Sequence, residues 1–268
     1  PGGVPTADDI LPIVDGVYNG GTLTTNSVTV SGIALFLSRT NLIPTYCQPL
    51  SSYYAANNNN VASGNYSRVN GSSNNATCNY ALINNGTCNT VSSTFGAIIN
   101  GTCNTATCDY SFVGTGSNNV VNGCNNAIVT GTGNTTSCPY SVIVDGCNNT
   151  NNGCFSVVQN GICNTVGNST SNALYNSVIA NGNFNNVNSN FSVINNGVCN
   201  SINTYNTNNN SILNGQFNCI TGTCASFSSI GNGRYNFICG DGSTITNGYC
   251  NCITGSRSTI NGGCSNCI

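Results

Sequence analysis

The sequence predicts an all-β fold, a parallel β-solenoid (β-roll or β-helix) of about 13 rungs with a short N-terminal β segment. Three observations predict it. Glycine recurs at a set interval, as Gly71, Gly86, Gly101, Gly116, Gly131, Gly146 and Gly161, then Gly182, Gly197, Gly215, Gly233, Gly248 and Gly263. The step is 15 residues except for one of 21 and two of 18. Three residues after each glycine stands asparagine: Asn74, Asn89, Asn104, Asn119, Asn134, Asn149, Asn164, Asn185, Asn200, Asn218, Asn236, Asn251 and Asn266. Three residues before each stands Ile or Val, as in Ile83, Ile98, Val113 and Ile128, with Arg68 as the exception.

Two further columns complete the rung. Five residues after the glycine the chain reads Ala76, Val91, Ala106, Val121, Thr136, Asn151, Val166, Val187, Ile202, Ile220, Ile238, Ile253 and Ile268. Five before it the residue is small, often Ser, as at Ser111, Ser141, Ser156 and Ser177. On either side of the glycine these positions share one parity, and residues of one parity in a strand face one way. Each rung is therefore two short strands joined at an Asn-Gly turn, such as Asn100-Gly101, where both residues tolerate positive φ. Rungs stacked about 4.8 Å apart make a rod of roughly 60 Å. An inward Asn is costly unless its amide is paired. Identical amides stacked along the rod can pair with one another, so the Asn column is expected to be a structural ladder.

The 18 cysteines, with no histidine in the chain, point to disulfides and an oxidising location. Equivalent positions on adjacent rungs lie within disulfide range, which makes Cys88–Cys103 and Cys252–Cys267 candidate bridges. Cysteines without a neighbour in their column pair across turns, pair with another chain or stay free. Cys250-x-Cys252 and Cys264-x-x-Cys267 suit a disulfide better than a zinc site, which wants a second pair at proper spacing.

Asn176-Ser177-Val178-Ile179-Ala180-Asn181-Gly182, followed by Asn185, Val187 and Ser189, resembles the head repeat of YadA-type trimeric autotransporter adhesins, N-S-V-A-I-G-x-x-S-x-A-x-G. Phe191 to Gly197 repeats the likeness, which extends over residues 65–268. The resemblance implies a left-handed parallel β-roll, often trimeric and exposed on a surface. The chain departs from that family in its period of 15, not 14, in its cysteines, and in having no coiled-coil stalk or membrane anchor after the repeats.

Residues 1–64 lack the period and are expected to form a cap or assembly segment, with 65–268 as the solenoid. Residues 22–38 alternate as one or two ordinary strands do, and Tyr46 to Pro49 with the Asn57–Asn60 run suits a linker. Pro1 is not an initiator residue, which suits a chain whose leader has been removed. At the other end Ile268 fills the core column of the last rung. An open parallel edge is a template for pairing, so the N-terminal region of another copy is expected to cover it, giving a filament.

Charged residues are only 4% of the chain and the formal net charge is −2, which excludes a basic nucleic-acid footprint. No apolar run is long enough for a membrane span. Without His there is no Ser-His-Asp or Cys-His pair; the carboxylates Asp8, Asp9, Asp109, Asp145 and Asp241 do not converge. No catalytic, cofactor or metal residue is expected, and the chain reads as non-enzymatic. Asn-x-Ser/Thr sequons at Asn65, Asn70, Asn75, Asn85 and Asn100, and at Asn134, Asn148, Asn168, Asn190 and Asn209, are possible glycosylation sites.

The function expected from these readings is an extracellular, cell-surface or virion-surface structural protein. Its copies self-assemble, head to tail or laterally, into a disulfide-stabilised fibre, sheath or appendage. Outward aromatics (Phe184, Phe217, Tyr235, Tyr80, Tyr110, Tyr140) suit lateral contacts. The alternative is an adhesin head or viral fibre that binds a glycan or receptor. Less favoured is ice binding, through the outward rows Thr90-x-Ser92, Thr105-x-Thr107 and Thr135-x-Ser137.

Overall fold

The structure, a computed structural model, describes residues 10–15, 24–29, 53–54, 59–167, 175–223 and 225–268. The expected linker at 46–49, Asp8, Asp9 and the sequon at Asn168 lie outside these residues. Strands β1 (Ile10–Asp15) and β2 (Thr24–Thr29) pair antiparallel in a two-stranded sheet of their own. The described residues from 53 onward form a parallel β-solenoid whose strands make two sheets, of 13 and 14 strands.

Each rung gives one strand to each sheet, and most are two residues long. Thr105–Ala106 pairs in parallel with Thr90–Val91 below and Val120–Val121 above. Phe112–Val113 does the same between Ala97–Ile98 and Ala127–Ile128 in the opposite sheet. The second residue of each strand points in. Val91, Ala106, Val121 and Ile220 of the first sheet are fully buried, as are Ile83, Ile98, Ile143 and Ile245 of the second. Burying such a side chain contributes about 1.5–3 kcal/mol. The last member of the first column, Ile268, is half-exposed.

The corners between strands carry the sequence signature. The glycines open one corner at φ from 98° to 127°. At Gly116, with φ of 127°, an added Cβ would overlap the carbonyl oxygen of Gly131 on the next rung, so conformation and close approach both require glycine. Two residues on, a left-handed residue turns the chain, for example Cys103 (φ 56°). The opposite corner holds a second left-handed residue in every rung, such as Tyr110 (φ 58°) or Asn125 (φ 58°). Fifteen residues thus contain two similar half-turns, each a left-handed residue, then a buried polar one, then an out-in strand pair.

The buried polar residue closes its corner. Asn104 shows how. Its Oδ1 accepts the backbone N–H of Asn119 at 3.0 Å and the Nδ2 of Asn119 at 3.1 Å. Its Nδ2 donates to the Gly116 carbonyl at 2.9 Å and to Asn89 Oδ1 at 3.1 Å. The expected amide ladder is present, but most of its bonds reach the backbone of the neighbouring rung. At the other corner Ser does the same work. Ser243 N–H donates to Ser228 Oγ at 3.3 Å, and Ser228 Oγ donates to the Gly240 carbonyl at 2.9 Å.

Two expectations are corrected. The solenoid begins before residue 65. Tyr53–Tyr54 and Val61–Ala62 belong to its two sheets, and Asn60 is an earlier ladder member, accepting from Asn74 N–H at 3.0 Å. The Arg68 exception also disappears. Val69 pairs with Ile83 and is fully buried while Arg68 faces outward, because this rung has one residue fewer between its strand and Gly71.

Two outcomes test this packing. Gly116→Ala is expected to cost more than about 3 kcal/mol of stability in urea unfolding, through positive φ and overlap with the next rung. Thr136, buried in the Val/Ile column, has a hydroxyl without a hydrogen-bond partner. Thr136→Val is expected to stabilise the chain by about 1 kcal/mol in the same assay.

Candidate functional site

No helix among the described residues is long and apolar enough to cross a membrane. Among the described residues no group of three or more His, Cys, Asp or Glu side chains is placed to hold a metal ion. The carboxylates are used locally: Asp109 accepts the Thr94 N–H at 2.9 Å and Asp241 accepts the Ser226 N–H at 3.1 Å, in each case from the rung before. What the solenoid displays is a set of surface columns, in which each position of the rung repeats along the rod.

The cysteines fall in several of these columns. The structure joins Cys108 to Cys124 and Cys138 to Cys154, with Cα–Cα distances of 4.7 and 4.8 Å. The expected bridges Cys88–Cys103 and Cys252–Cys267 are not formed, and all four are thiols. The reason is directional. Residues exactly one rung apart project parallel side chains, holding their Cβ atoms near the 4.8 Å strand spacing, beyond the usual 3.5–4.5 Å of a disulfide. The bonded cysteines are 16 residues apart, one more than the repeat, so each bridge runs diagonally across a corner.

Cys252 and Cys267 still meet: they bridge in register, and their thiols interact. Burial, and after it the hydrogen bond with Cys267, pushes the Cys252 thiol above its ordinary range. Burial, with a smaller contribution from Cys239, does the same to Cys219. Both stay protonated at neutral pH and are weak nucleophiles.

The left-handed corner opposite the glycines bears a row of rings that sequence periodicity alone did not single out as one column. Tyr66, Tyr80, Phe95 and Tyr110 stack at centroid distances of 5.1, 4.7 and 5.2 Å with planes within 12°. After Asn125 the row resumes with Tyr140 on Phe155 at 4.7 Å and continues, tilted, to Tyr175. A shorter second row stands at the glycine corner, where Phe217 stacks on Tyr235 at 5.0 Å and the Arg234 guanidinium lies 5.0 Å from the Tyr235 ring. Aromatic residues are rare at positive φ, yet Tyr66, Tyr80, Phe95, Tyr110, Tyr140 and Phe155 all sit there, with φ from 52° to 60°. Of the expected lateral aromatics, Tyr80, Tyr110 and Tyr140 belong to the first row, and Phe217 and Tyr235 to the second.

The two outward sheet faces differ. On the first, Thr90 pairs with Thr105, and Thr135, Thr150 and Thr165 follow one another, with Val120 breaking the row. On the second, the outward positions are apolar for eight consecutive rungs: Leu82, Ala97, Phe112, Ala127, Val142, Val157, Val178 and Val193. Beside them Val129 and Val144 are 43% and 40% exposed. Of the sequon asparagines, Asn85 and Asn100 are exposed, and Asn65, Asn70 and Asn75 are half-buried. Asn134 is a fully buried ladder member and has no room for a glycan.

Neither the known protein families nor the curated proteins contain a match to this chain.

The diagonal rule gives a direct test. Cys78 occupies the rung position of Cys108 and Cys138, and Thr94 that of Cys124 and Cys154, 16 residues on. Thr94→Cys is expected to form a third bridge, to Cys78, seen by non-reducing peptide mapping and adding about 3 kcal/mol of stability for a loop of this size.

Proposed function

We propose that this chain is a non-enzymatic, extracellular structural protein whose rods self-assemble into a disulfide-stabilised fibre, sheath or surface appendage. The observation that carries this reading is the apolar outward face of the second sheet. Eight rungs in succession present Leu, Ala, Phe or Val to solvent on a flat surface, with exposed Val129 and Val144 alongside. Contiguous apolar surface of this kind marks a contact face. The rod also lacks the charge that would keep copies apart, with 4% charged residues. Two disulfides fit an oxidising exterior.

Negative-stain electron microscopy of purified, non-reduced protein tests the proposal. Polymers much longer than a single rod, or laterally packed sheets, are the expected result. Discrete rods at every concentration examined would overturn it.

A second reading has one observation in its favour. The in-register hydroxyls of Thr90 and Thr105, and after Val120 of Thr135, Thr150 and Thr165, form a polar row on the first sheet. Such a row suits a binding module, an adhesin head or viral fibre engaging a glycan or receptor, or a face that orders water as ice. Short discrete trimers in the microscope, or thermal hysteresis in solution, would favour it.

A further inference from the structure

The residue before each corner glycine forms a surface column of its own. From Gly182 to Gly248 it is asparagine at five consecutive rungs, Asn181, Asn196, Asn214, Asn232 and Asn247, all exposed, and the residues after those glycines pair in register from rung to rung. Asn100 and Asn160 hold the same place earlier on the rod. One N–H at this corner departs from the ladder. The N–H groups of Asn100 and Thr102 each donate to the next rung at 3.0 Å, but the N–H of Gly101 between them turns back to the Oδ1 of Asn100 at 2.8 Å. The same contact joins Gly161 to Asn160 at 2.6 Å, Gly197 to Asn196 and Gly215 to Asn214 at 2.7 Å, and Gly248 to Asn247 at 3.0 Å. The glycine nitrogen is thereby held beside Cγ, the carbon that carries Oδ1, which is the placement that precedes cyclisation of an asparagine onto its own backbone. Two Asn-Gly pairs toward the opposite corner differ. Asn122 Oδ1 accepts the Thr107 hydroxyl at 3.1 Å, and the Gly153 N–H donates to Asn151, not to Asn152, at 3.3 Å.

We propose that Asn100, Asn160, Asn196, Asn214 and Asn247 are sites of spontaneous modification, each converting slowly to aspartate or isoaspartate through a succinimide. Hydroxide takes the glycine N–H proton, the nitrogen bonds to Cγ, and the Cγ–Nδ2 bond breaks, with Nδ2 leaving as ammonia after taking a proton from water. Water then opens one of the two C–N bonds of the ring. The net change is one water consumed and one ammonia released, with no oxidant or enzyme. Positive φ and the carbonyl of the next rung require glycine at this corner, and glycine also leaves its nitrogen unhindered. The fold therefore carries its own lability. The column already accommodates the product, because Asp145 stands before Gly146. In a chain with 6 acidic residues, further carboxylates along one line change the surface. Those on adjacent rungs, as at Asn196 and Asn214, face each other at about 4.8 Å, where like charges repel. Isoaspartate also adds a methylene to the backbone of the corner. The rod loosens with age as a result, however its copies assemble.

The test ages the folded chain in mildly alkaline heavy-oxygen water and maps its peptides by mass spectrometry. Aspartate and isoaspartate carrying heavy oxygen are expected at the proposed sites about tenfold faster than at Asn122 and Asn152, the scale of a positioned against an unpositioned nucleophile. In urea-unfolded protein these rates are expected to converge. Asn196→Gln keeps the amide but lengthens the side chain by a methylene, and is expected to stop the reaction at that position alone. Aged protein is expected to unfold at lower urea than fresh protein, with the loss shrinking in high salt. No modification, equal rates at both sets of positions in the folded chain, or a difference that survives in urea would overturn the proposal. Modification with no change in unfolding would overturn the loosening.

Discussion

The solenoid depends on one interaction, the hydrogen bonding of a buried corner side chain to the backbone of the next rung. Strands of two residues satisfy few backbone groups. The corners between them would leave N–H groups such as that of Asn119 buried without partners, at about 1–3 kcal/mol each. Asn is suited to the wider corner because it has both an acceptor and two donors. In Asn104 the acceptor takes the N–H of Asn119 while a donor reaches the Gly116 carbonyl. Ser, with one donor, suffices at the tighter corner. The glycine column follows from this bond, since the carbonyl that Asn reaches sits where a Cβ on the glycine below would be.

The same stacking explains the composition. A residue type repeated at one position meets its own copy about 4.8 Å above and below. For charges this means like facing like, at roughly 1 kcal/mol per pair in water along the whole rod. Amides, hydroxyls, aromatic rings and apolar side chains stack without that penalty, and they fill most of the outward columns. Arg234 is an instructive exception, placed singly and lying against the rings of Phe217 and Tyr235. A thin core of Ile and Val, two side chains across, is then enough because every rung adds the same bonds.

Much of this was legible in the sequence. The Gly, Asn and Ile/Val columns are one-dimensional traces of the stacking, so the fold class and the inward faces could be read directly. What could not be read depended on offsets of a single residue. Val69 takes the core place because one residue is missing before Gly71, and counting back from the glycine pointed to Arg68 instead. Asn60 precedes the first glycine of the series and so fell outside the count. The disulfides join positions 16 apart, because the pairing of side chains is set by their direction and not by the repeat alone. The ring column was hidden for a related reason: Tyr, Phe, Asn, Gly and Arg share that position through their left-handed backbone, which no residue preference announces. With the function, the sequence and the fold speak to surfaces and not to chemistry, and the surface columns are where the proposals rest.

The central claim is that the Asn side chains hold the rungs together. Urea unfolding of Asn119→Leu measures it most directly, since Asn119 is fully buried and bonds to the rungs on both sides. The account predicts a loss of several kcal/mol, because Leu adds apolar surface yet strands the buried N–H of Asn134 and leaves the Gly131 carbonyl with the Ser117 N–H as its one remaining donor. A loss below about 0.5 kcal/mol, the size of an ordinary surface change, would contradict it.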